Sequence, residues 1–539
     1  MKTTIFYPIV MILMVTFLER IVLLTENHLG RLFTTIVIIS SSFYCIRFLN
    51  MIMLKTYAKQ FFIIAISLHL ISCQQQGEYK VGSAQNRMNP FVENSVDRDL
   101  EEIKKDGVLR ALVVYSSTSY FLYRGQAMGF EYELLTQLAK HLDLKLELVV
   151  SNNLDTQFEV LNRGDVDLIA HGMTITNQRK WEVDFTEYLY LTRQVLVQKK
   201  PDNYLNISWS NLQKQLIQDP IELIDKTISI RKNSSYIERL LSLSNEMGGN
   251  IMIDTLDSKL STDEIIDMVA DGKIEYTIAD ENLAKINASF NPILKIDVPI
   301  SFSQRIAWVT RKKSPMFREV VNKWIISQRK KSNFNVIYNK YFKNKRTFKQ
   351  RINSDYYSLK NNQISKYDNL IKKHATKIGW DWRLLASQVY QESRFDPIAK
   401  SWAGAKGLMQ VMPATAESLS INDVSDPNES IRGGTDYLDY LYNRFTDIND
   451  SINRIKFSLA SYNCGYSHVR DAQRLAVEND LDSTIWSDNV EKMILALSLP
   501  KNYNKSFIKY GYVRGEEPAN YIEQIFDRYN HYKQFIPLE

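Results

Sequence analysis

One carboxylic acid, Glu392, completes an apolar helical stripe. It follows Leu385 and Val389 at i, i+4 and i+7 spacing, which places the three residues on one face of a helix. Asp381 can cap the start of this helix, and Pro397 cannot continue it. A carboxyl that is partly removed from water has a raised pKa, which a proton donor near neutral pH requires. The pattern therefore predicts a candidate general acid, although a structural glutamate at the edge of a stripe is the ordinary alternative.

Further motifs follow this helix in an ordered series. They are Gln391–Phe395, Ser401, Gly404–Gln410, Pro413, Thr415-Ala416, Ala460–Gly465, Gly511–Glu516 and Asn520-Tyr521. Over roughly residues 365–539 this set resembles the soluble-lytic-transglycosylase family, which has a goose-type lysozyme fold. The resemblance implies that Glu392 is the catalytic acid. It also implies a sugar-binding groove lined by Ser401, Gln410, Tyr462, Asn463 and Tyr521. The alternative is that Gly404 and Gly407 serve turns and Tyr462 packs in a core.

The number of acids narrows the expected reaction. Ordinary glycosidases use two carboxylates beside the bond that breaks, whereas Asp396, Glu417 and Asp436 lie outside any recognisable motif. The resemblance implies that the sugar supplies the nucleophile. The enzyme would then be a lyase, a peptidoglycan lytic exotransglycosylase that cleaves the β-1,4 bond between N-acetylmuramic acid and N-acetylglucosamine and leaves 1,6-anhydro ends. The expected partner is the glycan strand, with no cofactor and no metal. A hydrolytic muramidase, or a periplasmic solute receptor with an inactive wall-binding domain, are the alternatives.

The segment before this domain has a different periodicity. An apolar run at 108–114 predicts a strand, Phe130, Leu134 and Leu138 share a helical stripe, and a second strand is expected at 145–150. Such a βαβ beginning favours a largely parallel sheet with helices. The whole chain is thus expected to be multidomain, with an α/β two-lobed domain resembling periplasmic binding proteins, followed by a mainly α, lysozyme-like domain.

Several motifs carry that resemblance. They are Gly129-Phe130-Glu131, Gly164–Leu168, Gly172–Thr176, Arg179 and Asp184–Thr186. They are similar to the periplasmic solute-binding proteins for amino acids over about residues 100–342. The resemblance implies a regulatory ligand site containing Thr174, Arg179 and Asp280, for a muropeptide or an amino acid. Arg179 would bind the α-carboxylate, because a guanidinium matches a planar carboxylate, and Asp280 would bind the α-amine. A surface ion-pairing Arg179 and a helix-capping Asp280 are the alternatives.

The N-terminal part carries an export signal. Basic residues, a short apolar run and a small residue precede Cys73, which predicts a lipoprotein signal peptide at 53–72. Leu70–Cys73 resembles a bacterial lipobox, which implies that Cys73 is lipidated and anchors the chain to a membrane. Gln74 after Cys73 favours the outer membrane, with the folded domains in the periplasm. Residues 1–52 are interpreted as an overlong start or an extra membrane segment, and a buried thiol in a membrane helix is the alternative for Cys73.

Composition and charge indicate the remaining domain boundaries and the functions that are not expected. We expect a tether at 73–99, a sensor domain at 100–342, a solvated basic linker at 343–363 and the catalytic domain at 364–539. The 67 basic and 61 acidic residues nearly cancel, so nucleic-acid binding is not expected. Cys45, Cys73 and Cys464 lie too far apart to indicate a zinc site or a disulfide framework.

Overall fold

The computed structural model describes residues 95–538. The extension at 1–52, the signal at 53–72 and Cys73 lie outside the described residues. The described residues belong to one compact unit, which contains a front domain (residues 95–342) and a helical domain (residues 364–538). In the described range no helix is both long enough and apolar enough to cross a membrane.

The front domain alternates strands and helices. Its strands are β1 (Val108–Val113), β2 (Phe121–Tyr123), β3 (Gln126–Met128), β4 (Lys145–Val150), β5 (Leu168–Thr174), β6 (Asp184–Thr192), β7 (Gln194–Lys199), β8 (Thr227–Arg231), β9 (Met252–Leu256), β10 (Tyr276–Asp280), β11 (Leu294–Lys295) and β12 (Gln304–Thr310). Its helices are α1 (Leu100–Asp106), α2 (Phe130–Leu142), α3 (Gln157–Arg163), α4 (Trp209–Lys214), α5 (Ser235–Met247), α6 (Thr262–Ala270), α7 (Glu281–Ala288), α8 (Pro315–Arg329) and α9 (Ser332–Phe342). Short 3-10 turns lie at Arg179–Trp181 and Pro220–Leu223.

Two lobes make up this domain. In the first lobe the sheet order is β4-β1-β5-β12-β6, with β1 parallel to β4 and β5. The predicted βαβ unit is confirmed, since Val108 pairs with Lys145 and Leu134 and Leu138 of α2 are buried. The second lobe contains the sheet β10-β7-β11 and the parallel pair β8-β9. The chain passes into the second lobe between β6 and β7 and returns before β12.

The residues just before α1 belong to the fold of the first lobe. Within the expected tether at 73–99, Ser95 is buried and its hydroxyl donates to Asn162 at 3.4 Å. Arg98 forms an ion pair with the buried Asp167 at 2.7 Å. The described end of the tether is therefore packed against the front domain, because these polar groups have partners there.

The segment 343–363 differs from the expected solvated linker. It contains helix α10 (Lys345–Ile352), which Asn344 caps by accepting from the Thr347 amide at 3.0 Å. Arg351 is buried, with its guanidinium 5.1 Å from the centre of the Phe121 ring. The aliphatic part of an arginine side chain can cover apolar surface. The many basic residues of this segment were therefore compatible with a packed helix, although they suggested a solvated linker.

The described part of the helical domain contains helices and no β-strand, which confirms the prediction of a mainly α domain. Its helices are α11 (Asp368–Lys377), α12 (Trp382–Ser393), α13 (Pro413–Ser418), α14 (Pro427–Asn443), α15 (Ser451–Cys464), α16 (Tyr466–Glu478), α17 (Glu491–Ala496), α18 (Pro500–Tyr503) and α19 (Glu516–Phe535), with a π-helical turn at Trp486–Val490. Helices α12, α15 and α19 pack together around one apolar core.

The hairpin β2–β3 of the front domain reaches into the helical domain. Leu122 is buried in the core of the helical domain, and its amide donates to the Ser358 hydroxyl at 2.8 Å. At the tip of the hairpin, the Gly125 carbonyl accepts from the buried Tyr532 hydroxyl of α19 at 2.8 Å. Further along α19, the Phe535 ring stacks on Tyr115 of the front domain at 4.3 Å. Helix α19 thus contacts both domains.

Candidate active site and ligand cleft

Helix α12 presents Glu392 at its C-terminal end. Asp381 caps the helix by accepting from the Arg383 amide at 2.9 Å, as predicted. Leu385 and Val389 are fully buried, whereas Glu392, the next member of the stripe, is only partly buried. The helix ends at Ser393 because Arg394 adopts a left-handed conformation, with φ 52°. The carboxyl is thus held at the edge of the core.

Tyr521 of α19 contacts this acid directly. Its buried hydroxyl donates a short hydrogen bond to Glu392 Oε1, across 129 residues of sequence. Burial raises the pKa of Glu392 to about 7, and the hydrogen bond from Tyr521 opposes that rise. Near neutral pH the group can therefore hold a proton and release it.

Tyr462 lies close enough to sense the charge of Glu392. Burial, and then the negative charge of Glu392, raise the pKa of Tyr462 well above its usual value. The Tyr462 hydroxyl donates to the Met409 carbonyl at 2.7 Å, and its ring packs on Tyr437 with centroids 5.5 Å apart. These contacts fix Tyr462 as one wall beside the acid.

The other predicted groove residues have different surroundings. Gln410 has φ 49°, and its Nε2 donates to the carbonyls of Ala399 and Gly407, each at 3.0 Å. Ser401 Oγ accepts from the Ala405 amide at 3.0 Å, so both residues shape the loop after α12. Asn463 is exposed in the last turn of α15. None of these three makes a hydrogen bond with Glu392 in the described part of the chain.

Gln388 is a further buried polar residue near Glu392, and it was not among the predicted site residues. It lies one turn before Glu392 and is fully buried, and neither of its amide atoms has a hydrogen-bond partner among the described residues. Burial and the charge of Glu392 raise the pKa of Tyr521 well above its usual value, and the nearby Gln388 amide opposes this. The sequence did contain a signal for Gln388, because it is a polar residue one helical turn before Glu392, between Leu385 and Val389.

The three predicted ligand residues of the front domain line one cavity between its lobes. Thr174 ends β5, Arg179 follows it in a 3-10 turn, and Asp280 ends β10 in the second lobe. Arg179 donates to the Thr174 carbonyl at 3.0 Å and to the Asn233 carbonyl at 3.4 Å. Arg179 is partly buried, and burial lowers its pKa to about 10.

Asp280 stands at the N-cap position of α7, but its side chain makes no capping hydrogen bond. Its Oδ1 atom is buried and has no partner within residues 95–538. Burial raises the pKa of Asp280 to about 7, and the charge of Arg179 opposes that rise. The carboxyl is directed to the cavity and not to the helix start. Elsewhere in the described residues, no group of three His, Cys, Asp or Glu side chains could hold a metal ion.

Two family descriptions match separate parts of the chain. "Bacterial extracellular solute-binding proteins, family 3" matches residues 113–344. "Transglycosylase SLT domain" matches residues 369–484, which include α12 and Glu392. The order of the two matches is the order of the front and helical domains.

Relatives match over most of their length. A membrane-bound lytic murein transglycosylase F of Desulfosudis oleivorans is 35% identical over 443 residues, covering 81% of this chain and 92% of the relative. A protein of the same name from Photobacterium profundum is 29% identical, covering 88% of this chain and 86% of the relative. Among solved structures, a mutant of the arginine-binding protein of T. maritima matches 45% of this chain and 98% of its own, with 22% identity and a TM-score of 0.38.

Proposed function

Because the chain belongs to the membrane-bound lytic murein transglycosylase F family and is a peptidoglycan lyase, we propose that Glu392 is its catalytic acid and base. The observation that carries this proposal is the partly buried carboxyl at the end of α12, whose pKa of about 7 is set by burial and by Tyr521. An acid with a pKa near the working pH is suited both to donate and to accept a proton.

In the first step, protonated Glu392 gives its proton to the oxygen of the β-1,4 bond between N-acetylmuramic acid and N-acetylglucosamine. The bond between this oxygen and C1 of the muramoyl sugar breaks, and the electron pair leaves with the oxygen. The 2-acetamido group helps to stabilise the positive charge that develops at C1. Glu392 is then a carboxylate, and the Tyr521 hydroxyl stabilises it as a hydrogen-bond donor.

In the second step, the carboxylate takes the proton of the C6 hydroxyl of the same muramoyl sugar. The C6 oxygen bonds to C1 and closes a 1,6-anhydro ring. Glu392 returns to its protonated form, so the proton count balances and no water is consumed.

The surroundings of Glu392 favour this route over hydrolysis. Glycosidases with an acid and a second carboxylate hold the two roughly 5–9.5 Å apart. Such a neighbour would raise the pKa of Glu392 by charge repulsion, and no acidic side chain contributes to that pKa among the described residues. This supports a reaction in which a single acid serves both proton transfers.

The proposed groove extends from Glu392 along the loop after α12. Tyr462 and Tyr521 flank the acid, whereas Ser401 and Gln410 hold the loop, and Asn463 follows Tyr462 in sequence and is exposed. We assign the sugar contacts to these five residues, with the two tyrosines closest to the bond that breaks.

Digestion of purified peptidoglycan tests the reaction. Mass spectrometry of the products should find anhydromuramoyl ends, which have one water less than the reducing ends that a muramidase would leave. Glu392→Gln should lower the rate by about 10³-fold or more, because acid and base are both lost. Glu417→Gln, a change of an exposed glutamate on α13, is the matched control and should digest normally.

Three results would contradict the proposal. Reducing ends would assign hydrolysis instead. Equal digestion by the parent and Glu392→Gln would remove Glu392 from the chemistry, and no digestion by either would leave the front domain as a receptor.

The front domain is proposed to bind a soluble wall fragment, a muropeptide or an amino acid, and to control the groove. Tyr115 lines the cavity between the lobes and stacks on Phe535 of α19, and the same helix carries Tyr521. A ligand that changes the position of Tyr115 can therefore act on α19. Such control requires different ligand affinities in two states of the enzyme. An unchanged turnover at saturating, demonstrably bound muropeptide would contradict it.

The protein is proposed to be a periplasm-facing lipoprotein anchored through Cys73 in the outer membrane. The lipobox-like Leu70–Cys73 and Gln74 support this placement. Cys73→Ser should abolish the incorporation of labelled fatty acid into the protein in growing cells. Labelling of this variant equal to that of the parent would contradict the lipid anchor.

A further inference from the structure

The cavity between the lobes of the front domain is closed by direct contacts between them. Ser117 of the first lobe donates to Asp263 of the second through its amide and its hydroxyl, each at 2.9 Å. Arg231 of the second lobe donates to the Asn152 carbonyl of the first. The enclosed volume is about 120 Å³, well below the roughly 300–1,000 Å³ of pockets for drug-sized ligands. A small molecule fits this space.

Some of the charged groups that line the cavity are already engaged. Asp263 accepts from Ser117 and, at 2.8 Å, from Asn287. Arg231 also donates to the Ser258 carbonyl at 2.9 Å. Burial lowers the pKa of His171 to about 3, so this lining imidazole is neutral at physiological pH. These residues stabilise the cavity wall. We therefore expect other residues to bind the charged groups of a ligand.

Three other charged groups line the cavity: Arg179, Asp280 and Glu131. Among the described residues, the Arg179 guanidinium donates only to the carbonyls of Thr174 and Asn233. When ionised, the three groups carry two negative charges and one positive charge. A buried charge without a partner is costly, so the complement of this set is a ligand with one carboxylate and two cationic groups. An ordinary zwitterionic amino acid would satisfy Arg179 and Asp280 and leave Glu131 unmatched.

Glu131 is an isolated acid in this wall. It lies in the first turn of α2, is 2% exposed, and its Oε2 has no hydrogen-bond partner among the described residues. Burial raises its pKa to about 8, and its own backbone amide and the Ser119 hydroxyl oppose that rise, whereas no cationic side chain of the described range does. Asp280 differs, because Arg179 acts on it.

Glu131, Asp280 and Tyr190 line the same cavity. A Cβ atom on Gly172 would lie 2.9 Å from the Tyr190 hydroxyl and 3.9 Å from Glu131 Oε1, and the charges of both acids add to the rise that burial causes in the pKa of Tyr190. The two carboxyls come from different lobes, so a ligand that bridges them also bridges the lobes.

We infer that the cleft is built for an amino acid with a cationic side chain. Arg179 binds its carboxylate, Asp280 its α-ammonium and Glu131 the side-chain cation. The inference rests on the proposed ligand-binding role of the front domain and specifies the charge of the ligand.

Calorimetric titration of the full chain with L-lysine and L-norleucine tests it. Norleucine has the same carbon chain as lysine and lacks the second ammonium, so it leaves Glu131 without a partner. Lysine is expected to bind about 10- to 100-fold more tightly. Glu131→Gln should reduce the affinity for lysine by a similar factor and change that for norleucine little. Glu147→Gln, at a largely exposed glutamate in the same lobe, is the control.

The outcomes separate this inference from the proposed function. Equal affinities for lysine and norleucine in the parent protein would overturn it, while the cleft would still be an amino-acid site. Binding of neither amino acid would overturn it as well. Muropeptide binding to the same protein would then decide whether the cleft is a ligand site at all. The comparison of two probes on the unmodified chain keeps the test valid if Glu131→Gln fails to fold.

Discussion

At the scale of single residues, Tyr521 sets how far the pKa of Glu392 rises. The Tyr521 hydroxyl stabilises the ionised carboxylate, so it holds the pKa below the value that burial alone would give. The parent enzyme should be active below about pH 7 and lose activity above it, as Glu392 loses its proton.

Tyr521→Phe should move the alkaline limb of the pH–rate profile to higher pH. The rate at the optimum should fall by about 10- to 100-fold, because a hydrogen bond to a charged group is lost. The measurement is initial rate against pH on soluble glycan strands. Tyr510→Phe, at an exposed tyrosine, should leave the profile unchanged. A limb that moves to lower pH would contradict the role of Tyr521.

The same pKa has a consequence for stability. A carboxyl whose pKa is raised on folding from 4.5 to about 7 stabilises the folded state while it is protonated. This contribution is fully present below about pH 4.5 and is lost as the pH rises through about 7.

Glu392→Gln cannot ionise and should therefore be more stable than the parent at alkaline pH. The gain in free energy of unfolding between pH 5 and pH 8 should be about 2–3 kcal/mol. Urea denaturation at the two pH values measures it, with Glu417→Gln as the control. A constant difference at both pH values would show that the pKa of Glu392 is not raised.

At the scale of elements, the β2–β3 hairpin fits closely against the end of the catalytic helix α12. A Cβ atom on Gly125 would lie 2.7 Å from the Tyr532 hydroxyl, 2.8 Å from the Phe395 ring and 3.1 Å from the Tyr390 ring. Tyr390 and Phe395 lie on either side of Glu392 in sequence. The hairpin tip therefore supports the segment that holds the acid.

Gly125→Ala should lower the thermal unfolding midpoint and the rate of turnover. Gly248→Ala provides the matched control, because Gly248 has a similar positive φ but open space around it. The difference in stability between the two variants should be about 1–3 kcal/mol, the usual cost of overpacking. Equal losses in both would mean that only backbone strain matters at Gly125.

The sequence predicted those elements that depend on local signals. Asp381 and Leu385 indicated the start and the buried face of α12, and the apolar patterns indicated β1, α2 and β4, because caps, stripes and strand patterns are local. Pro397 gave only an outer limit for the end of α12, which the left-handed Arg394 sets at Ser393.

The contact of Tyr521 with Glu392 was not predictable from spacing, since it joins α12 to a helix 129 residues away. Arg351 was assigned to a linker because a basic residue buried over aromatic rings has the same sequence pattern as a solvated one.

At the scale of the whole molecule, α19 contacts both the catalytic site and the ligand cleft. Its Phe535 stacks on Tyr115 in the cleft wall, and its Tyr521 contacts Glu392. The stacked pair is outside the sugar groove. Its loss should therefore impair the response of the enzyme to ligand more than the catalytic step.

Phe535→Ala should keep turnover without ligand within about twofold and abolish the response to added muropeptides, because a truncated ring cannot follow Tyr115. Turnover with and without a defined muropeptide measures both quantities. Phe526→Ala on the same helix, which packs only in the helical domain, should retain the response. A full response in Phe535→Ala would exclude this contact as the connection.

The exchange of side chains across the domain boundary has an evolutionary consequence. Leu122 from the front domain completes the core of the helical domain, and Phe535 from the helical domain packs on the core of the front domain. Recombination that replaced one module with a foreign one would leave an unfilled apolar socket in the other. The two halves are therefore constrained to be inherited together, and substitutions at these two positions have to be compensated on the opposite side of the fusion.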